Sequence, residues 1–394
     1  MKRRTDDTDA TSKRQKVNRE PVSYSPKTLQ SNPALYDGNF PYFRQPREIG
    51  CFSLDIDREF HNDARQLRYY FPPDDTKRVK FDLTKGYEKY IKRDDDVKER
   101  LDILLKWVLA NREKFNLHKK PETKEEIHTQ KDGNLHTDFI TWRGHLTKIL
   151  CTPYENREDW KMAVSLFNGT YYISEVETEE SRDRRKNMTS AHKEMTYWGY
   201  KFEQYVVSAD GHTPPSTEDT VNNIEGYCTV VRTRLNENSL VFSGEVDCCR
   251  GDNTKPSKNY VELKTSREIY TDRQYRNFKR FKLIKWWAQS FLPGLPTIVA
   301  GFRDDDGVVT KLETYETMKI PDLVKDDPYM WNPSVCVNFC DKFLCFVKQV
   351  VQKDDPRCVY LFEWNPSSKR IIYTVHEDDQ QTFLPDWFLE EMQK

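Results

Sequence analysis

Glu245-Val246-Asp247 and Glu262-Leu263-Lys264 place three carboxylates and an ammonium in two short, strand-like stretches. Residues 240, 242, 246 and 248 are apolar, so on a strand Glu245 and Asp247 project together to the opposite side. Glu262 and Lys264 likewise share one face, with Val261 and Leu263 on the other. Adjacent strands of this kind crowd three acids together, which is costly unless divalent cations neutralise them. Hard carboxylate oxygens beside one lysine suit Mg²⁺, and the chemistry they suggest is phosphodiester cleavage. The competing reading is a cross-strand salt-bridge ladder on a solvated face.

Three further stretches bear on the choice. In Gly199-Tyr200-Lys201-Phe202-Glu203 the glycine and Glu203 lie one helical turn apart. A glycine inside a helix costs about 1 kcal/mol relative to alanine. The return is either open space beside Glu203 for a phosphate backbone or close helix–sheet contact. In Trp142-Arg143-Gly144 an arginine precedes a glycine at a helix start, suited to a phosphate clamp or to a surface ion pair. Between Lys264 and Lys285 there are eight Lys/Arg against Glu268 and Asp272, an excess of six, with Tyr270, Tyr275, Phe278, Trp286 and Trp287 interleaved. Cations for phosphates and rings for bases are what a nucleic-acid strand needs. A plain amphipathic helix accounts for the same charges.

These residues need a scaffold, and 394 residues supply one large domain or two ordinary ones. Lys plus Arg (63) nearly cancels Asp plus Glu (64), so any polyanion site must be a local basic patch. No run of eighteen apolar residues exists, which argues against a transmembrane helix, and the polar N-terminus is unlike a signal peptide. Nine cysteines without CxxC spacing predict reduced thiols in the cytosol or nucleus. Residues 1–30 read as a disordered tail whose basic clusters at 2–4 and 13–16 could direct nuclear import. The remainder, 31–394, reads as a single catalytic domain.

Within it the pattern predicts helices over 94–115, 138–150, 191–208, 272–291 and 334–351. Met195, Trp198, Phe202 and Val206 form the apolar stripe of the third. Phe281, Ile284, Ala288 and Phe291 form that of the fourth, with Lys282, Lys285 and Gln289 on another face. Strands are expected over 171–177, 224–235, 239–249, 259–266, 296–303, 308–315, 357–363 and 370–375, and a charged loop over 178–190. The expected fold class is α/β, a mixed sheet flanked by helices.

Taken in order, Trp142-Arg143-Gly144, Gly199 through Glu203, Gly244 through Asp247, Glu262-Leu263-Lys264 and Lys285-Trp286-Trp287-Ala288-Gln289 resemble the motifs of the decapping and exoribonuclease (DXO) family, animal members above all. The likeness runs from about residue 33 to 390. It implies a sheet related to the nucleases with an Asp…Glu-x-Lys core. It implies a nuclear, Mg²⁺-dependent hydrolase acting on RNA 5′ ends, with Mn²⁺ as the substitute ion. Such enzymes remove incompletely methylated and NAD-type caps, release pyrophosphate from 5′-triphosphate RNA, and degrade 5′-monophosphate RNA 5′ to 3′.

By this resemblance Glu203, Glu245, Asp247 and Glu262 hold two ions, with the Leu263 carbonyl as a further ligand and Asp247 bridging. Lys264 orients the attacking water or neutralises phosphate charge, and Gln289 and Arg143 position phosphates. Arg58, Glu99, Trp142, Gly144 and Cys228 contact the RNA or its 5′ end. A monomer without membrane association is expected, and a separate 5′–3′ exoribonuclease is an implied partner. The alternatives are a non-catalytic RNA-binding partner of such an exoribonuclease and a DNA nuclease on the same core.

Overall fold

A computed structural model describes residues 27–115, 134–251 and 259–394. The two N-terminal basic clusters, and most of the 250–258 loop, lie outside the described residues. Two sheets carry the site. The larger runs, edge to edge, Thr28–Gln30 (β1), Arg370–His376 (β17), Val359–Trp364 (β16), Trp160–Phe167 (β7), Thr170–Val176 (β8), Phe139–Trp142 (β6), Asn238–Glu245 (β11), Gly226–Leu235 (β10), Arg47–Leu54 (β2) and Phe60–His61 (β3). The smaller runs Phe81–Asp82 (β5), Val308–Glu316 (β15), Thr297–Arg303 (β14), Tyr260–Arg267 (β13), Cys248–Cys249 (β12), Tyr69–Tyr70 (β4) and Val207–Ser208 (β9). Parallel pairing of β6 with β11 and of β13 with β14, among antiparallel neighbours, makes both sheets mixed.

The helices are Asp102–Ala110 (α1), Arg143–Cys151 (α2), Glu179–Lys186 (α3), Ser190–Val206 (α4), Asp272–Asn277 (α5), Ile284–Phe291 (α6), Pro333–Val350 (α7) and Asp386–Gln393 (α8). Alternation along the strands fixes the layers. Leu240 and Phe242 of β11 pack with α2, α6 and α7 and, across those helices, with Ile298 and Ala300 of β14. Val241 points the other way, onto the core formed with α1 and α8. On the far side of the smaller sheet, Val261 and Leu263 pack against Tyr197, Trp198 and Phe202 of α4. The order is helices, large sheet, helices, small sheet, helix.

Several expectations need correction. The helix expected over 94–115 begins only at Asp102, and Val97 is exposed because the turn-rich 92–100 segment precedes it. The stretch expected as one helix over 138–150 is strand β6 followed by α2, since Phe139 and Ile140 are claimed by opposite cores. The expected loop over 178–190 contains α3, a helix with no buried residue, started by the Thr178 side chain accepting the Ser181 N–H. Met195 is exposed, so the stripe of α4 is Tyr197, Trp198, Phe202 and Val206. The long helix over 272–291 is continuous in path but passes through a π-turn at Phe278–Leu283 between α5 and α6. Strands β2 and β7 were not anticipated.

Candidate active site

The acids come together where the chain leaves one sheet for the other. Strand β11 ends at Glu245, and Val246 and Asp247 cross to β12, which pairs antiparallel with β13. Glu245 and Asp247 therefore do not sit on one continuous strand, contrary to the sequence expectation: the apolar side chains 242, 246 and 248 enter three different cores. The crossover still delivers Asp247 to β13, where its Oδ2 accepts the Leu263 N–H at 2.5 Å. Glu203 arrives from the opposite side on α4, with Phe202 driven so deep that a β-carbon on Gly301 would meet its ring at 2.6 Å. A β-carbon on Gly199 would meet nothing within 4 Å, so the glycine borders open space and not a helix–sheet contact.

Arg143 locks the centre. Its side chain is 9% exposed, and its Nη1 donates to the Glu245 carbonyl at 2.8 Å and faces Glu262 Oε2 at 3.4 Å. Gly244 is required here, because a β-carbon would lie 2.9 Å from Arg143 Cβ and Nε. Lys264 Nζ donates to the other Glu262 oxygen at 2.5 Å. The sequence offered Arg143 as a phosphate clamp or a surface ion pair, whereas one of its nitrogens is committed to a buried pair with Glu262.

The electrostatics divide the acids. Burial disfavours ionised Glu262, but Lys264 and then Arg143 outweigh it and hold the carboxyl below its usual range. Burial, then the charges of Asp247 and Glu245, push Glu203 well above the carboxylate range. Burial and the Glu262 charge push Asp247 up to about 8 despite Lys264 and the Leu263 N–H. Burial also raises Glu245, against the pull of Arg143 and Arg58. Lys264 is lifted by Glu262 and Asp247 over the opposing effect of burial, so it stays an ammonium. Ionised, Glu203, Glu245 and Asp247 would thus carry negative charge that the protein does not compensate, and their raised pKa values favour protons there until a cation takes their place.

A divalent cation is the species such a set fits: hard oxygen donors only, held in their costly charged form by what binds them. Among the described residues, no three His, Cys, Asp or Glu side chains stand close enough to ligate one ion as they are placed. Asp247 and Glu262 face the Leu263 amide, Lys264 and Arg143, contacts that side-chain rotation toward an ion would loosen.

Three clefts meet at this point. The first, about 520 Å³, is bordered by Arg58, Glu99, Trp142, Arg143, Gly144, Cys228 and Glu245. The second, about 400 Å³, is bordered by Tyr200, Glu203, Glu245 and Asp247. The third, about 300 Å³, is bordered by Arg143, Gly144, Lys285 and Gln289. Glu245 joins the first two, and Arg143 joins the first and third.

In the first cleft Arg58 grips Glu99 with two bonds of 2.7 and 3.0 Å and donates to the Ile224 carbonyl. The Trp142 indole donates to the Arg100 carbonyl, and buried Cys228 lies opposite Glu245 in the β10–β11 register. Arg93, Lys98, Arg100 and Arg182 also border this cleft and were missed. Residues 92–100 hold four basic and four acidic side chains, so no net charge marked them. The positive φ of Arg58 (64°) and Arg100 (47°) leaves no sequence signal in a non-glycine residue. Trp286, Trp287 and Phe278 are in the core, so three of the five rings expected to stack on bases are unavailable, while Tyr270 and Tyr275 are exposed.

The comparisons with known proteins converge. A family model described as RAI1-like PD-(D/E)XK nuclease matches residues 44–389. This chain belongs to that nuclease family. The human decapping and exoribonuclease protein is 47% identical over 93% of this chain and 90% of its own length. The decapping nuclease RAI1 of Aspergillus fumigatus is 38% identical over 80% of this chain and 85% of its own. Candida albicans Rai1, crystallised in complex with pU5 and Mn²⁺, superposes with a TM-score of 0.79 at 28% identity, covering 93% of this chain and 98% of that one. Scheffersomyces stipitis Rai1, crystallised with (3′-NADP)⁺ and calcium ion, gives 0.78 at 26%, covering 93% and 97%. At the junction Asp247 stands on the crossover and Glu262-Leu263-Lys264 on β13.

Proposed function

We propose that this nuclease acts on RNA 5′ ends with Mg²⁺, or Mn²⁺ in its place. It removes incompletely methylated and NAD-type caps, hydrolyses 5′-triphosphate ends with release of pyrophosphate, and degrades the resulting 5′-monophosphate RNA 5′ to 3′. The observation that carries this reading is the gathering of Glu203, Glu245 and Asp247, acids with no ion-pair partner among the described residues, at the meeting of three clefts, beside an ammonium that stays protonated. A non-catalytic RNA-binding scaffold has no use for that arrangement.

Glu203, Glu245, Asp247 and Glu262, with the Leu263 carbonyl, would hold the ions. Bound there, divalent cations supply Lewis acidity toward phosphate and acidify water. Each of these 5′ ends shares one event: a water oxygen bonds to phosphorus, the bond from phosphorus to the departing oxygen breaks, and that oxygen takes up a proton. Lys264, protonated throughout, is a donor and not a base; it faces the phosphate charge that grows as the bond breaks. Arg143 keeps Glu262 ionised and borders the path of the phosphate, and Gln289 presents its amide from the third cleft. Arg58, Glu99, Trp142, Gly144 and Cys228 shape the first cleft, which would receive the 5′-terminal nucleotide. Because the machinery addresses phosphate, one centre serves several 5′ ends. The proposed setting is the nucleus, alongside a separate 5′–3′ exoribonuclease.

The test is to incubate the protein with RNAs that differ only at the 5′ terminus and identify the products by mass. Pyrophosphate from the triphosphate RNA, intact cap dinucleotides from capped RNA and nicotinamide mononucleotide or intact NAD from NAD-capped RNA are expected. Binding without any product, in Mg²⁺ or Mn²⁺, would overturn the reading.

A further inference from the structure

Beyond the third cleft the surface changes character. Phe281, Lys285 and Gln289 follow one another at four-residue steps, so they line one side of the π-turn and α6, leading outward from Arg143. Lys285 is spent on Glu155 and Glu158, each at 3.1 Å, and Asp159 is taken by Arg184 at 3.0 Å. Each acid at this rim thus has a cation within ion-pair distance, with Lys285 shared by two of them. The two guanidiniums next to them are unpaired among the described residues. Arg157 lies over the Phe281 ring, 4.7 Å from its centroid, and Arg280 lies over the same ring at 5.2 Å. Both arginines are exposed, and neither has a carboxylate within ion-pair distance among the described residues.

We propose that Arg157, Phe281 and Arg280 form a clamp for the backbone of single-stranded RNA, gripping the strand just outside the catalytic cleft. Stacking on an aromatic ring orients a guanidinium plane without consuming its N–H donors, which remain for phosphate oxygens. Two guanidiniums on one ring offer donors for more than one phosphate. Recognition of this kind ignores base identity, as a nuclease that advances along its substrate requires. The clamp rests on the reading of the junction as an RNA hydrolase and adds to it a grip on the body of the strand. It also accounts for part of the basic, aromatic run between Lys264 and Lys285 after the core has claimed Trp286 and Trp287.

The test compares wild type with R157Q/R280Q on two 5′-monophosphate RNAs, a dodecanucleotide and a dinucleotide. Affinity is read by fluorescence anisotropy in EDTA across a salt series, and kcat and KM are read with Mn²⁺. For the dodecanucleotide the double variant should bind at least about fivefold more weakly, and its log–log salt slope should be shallower by about 1.4, the value for two single-strand phosphate contacts. KM for that RNA should rise while kcat holds, and the dinucleotide should be unaffected. F281L, which keeps an apolar side chain but removes the shared ring, should show a smaller loss of the same kind. Equal dodecanucleotide affinity and equal salt slope in wild type and R157Q/R280Q would overturn the clamp and leave the two arginines to an acidic protein surface. If wild type binds neither RNA, the clamp and the hydrolase reading fail together; if only the clamp is wrong, dinucleotide turnover survives.

Discussion

The mouth of the first cleft and the junction behind it use the same residue types to opposite effect. At the mouth each acid has met a cation: Glu99 takes Arg58 and Arg93, and Glu177 takes Lys98, Arg182 and Arg185. Burial works against ionised Glu99, but Arg58 and Arg93 prevail and its pKa falls, while Arg185 leads the lowering of Glu177. At the junction Glu203, Glu245 and Asp247 are raised, and only Glu262 is lowered. Both regions are rich in carboxylate, so acid content does not mark the catalytic centre. What marks it is acid left without a cation, because a folded chain tolerates that only where a ligand compensates it.

The largest expected effect breaks the comparison at the junction. E245A/D247A should lose at least about 10³-fold in the rate of RNA shortening, the scale seen when groups that stabilise transition-state charge are removed. It should remain folded by circular dichroism with a thermal stability close to that of wild type, because relief of crowding among the acids offsets the lost bond from the Leu263 N–H to Asp247. A fall in both activity and stability would mean that these acids are structural.

Arg143→Ala should behave oppositely, losing about 3–5 kcal/mol in chemical denaturation, as when one partner of a buried ion pair is removed. A loss below about 1 kcal/mol, typical of an exposed pair, would return Arg143 to a purely substrate-facing role.

How much of this was legible in the sequence follows from what each pattern reports. The apolar spacing of Leu240 and Phe242 announced strand β11, and Glu262-Leu263-Lys264 was placed correctly on a strand, where it pairs with Ile298, Val299 and Ala300 of β14. The Glu245–Asp247 pair was misread as one strand face, since a crossover between sheets preserves apolar alternation by accident. Helix α3 was invisible to hydrophobic periodicity because charge covers its whole circumference; its evidence is the Thr178 cap and the Arg185–Glu177 pair. Trp286 and Trp287 looked like base-stacking rings, but aromatic count does not tell an exposed ring from a core one. Ion pairing at the cleft mouth depends on contacts remote in sequence, such as Arg58 with Glu99.

His145, on the border of the first cleft, tests how dry the region between mouth and junction is. Burial depresses it to about 4, the Glu175 N–H approaches its Nε2 at 3.4 Å, and Nδ1 faces the Ile173 carbonyl at 3.3 Å. Both folded and unfolded chains carry it neutral above its ordinary pKa. As pH falls from about 6.5 to about 4 the unfolded chain takes the proton first, so stability is lost across that window, by about 3 kcal/mol at most. His145→Gln should remove this part of the acid destabilisation in parallel denaturant titrations. Identical pH profiles for variant and wild type would mean that water reaches the ring.

The smallest effect belongs to the mouth. Arg58→Ala should cost only about 1 kcal/mol, as for a partly exposed pair, while KM for the 5′-terminal nucleotide rises. A stability loss as large as that of Arg143→Ala would erase the distinction between the two regions.

The most direct test of the central claim is the melting temperature of the protein titrated with Mn²⁺, for wild type and for Asp247→Asn. The account predicts a rise in wild type that saturates with concentration and is absent or much reduced in the variant, since the ion compensates charge that the fold leaves bare. An equal rise in both proteins, or none in wild type, would contradict it.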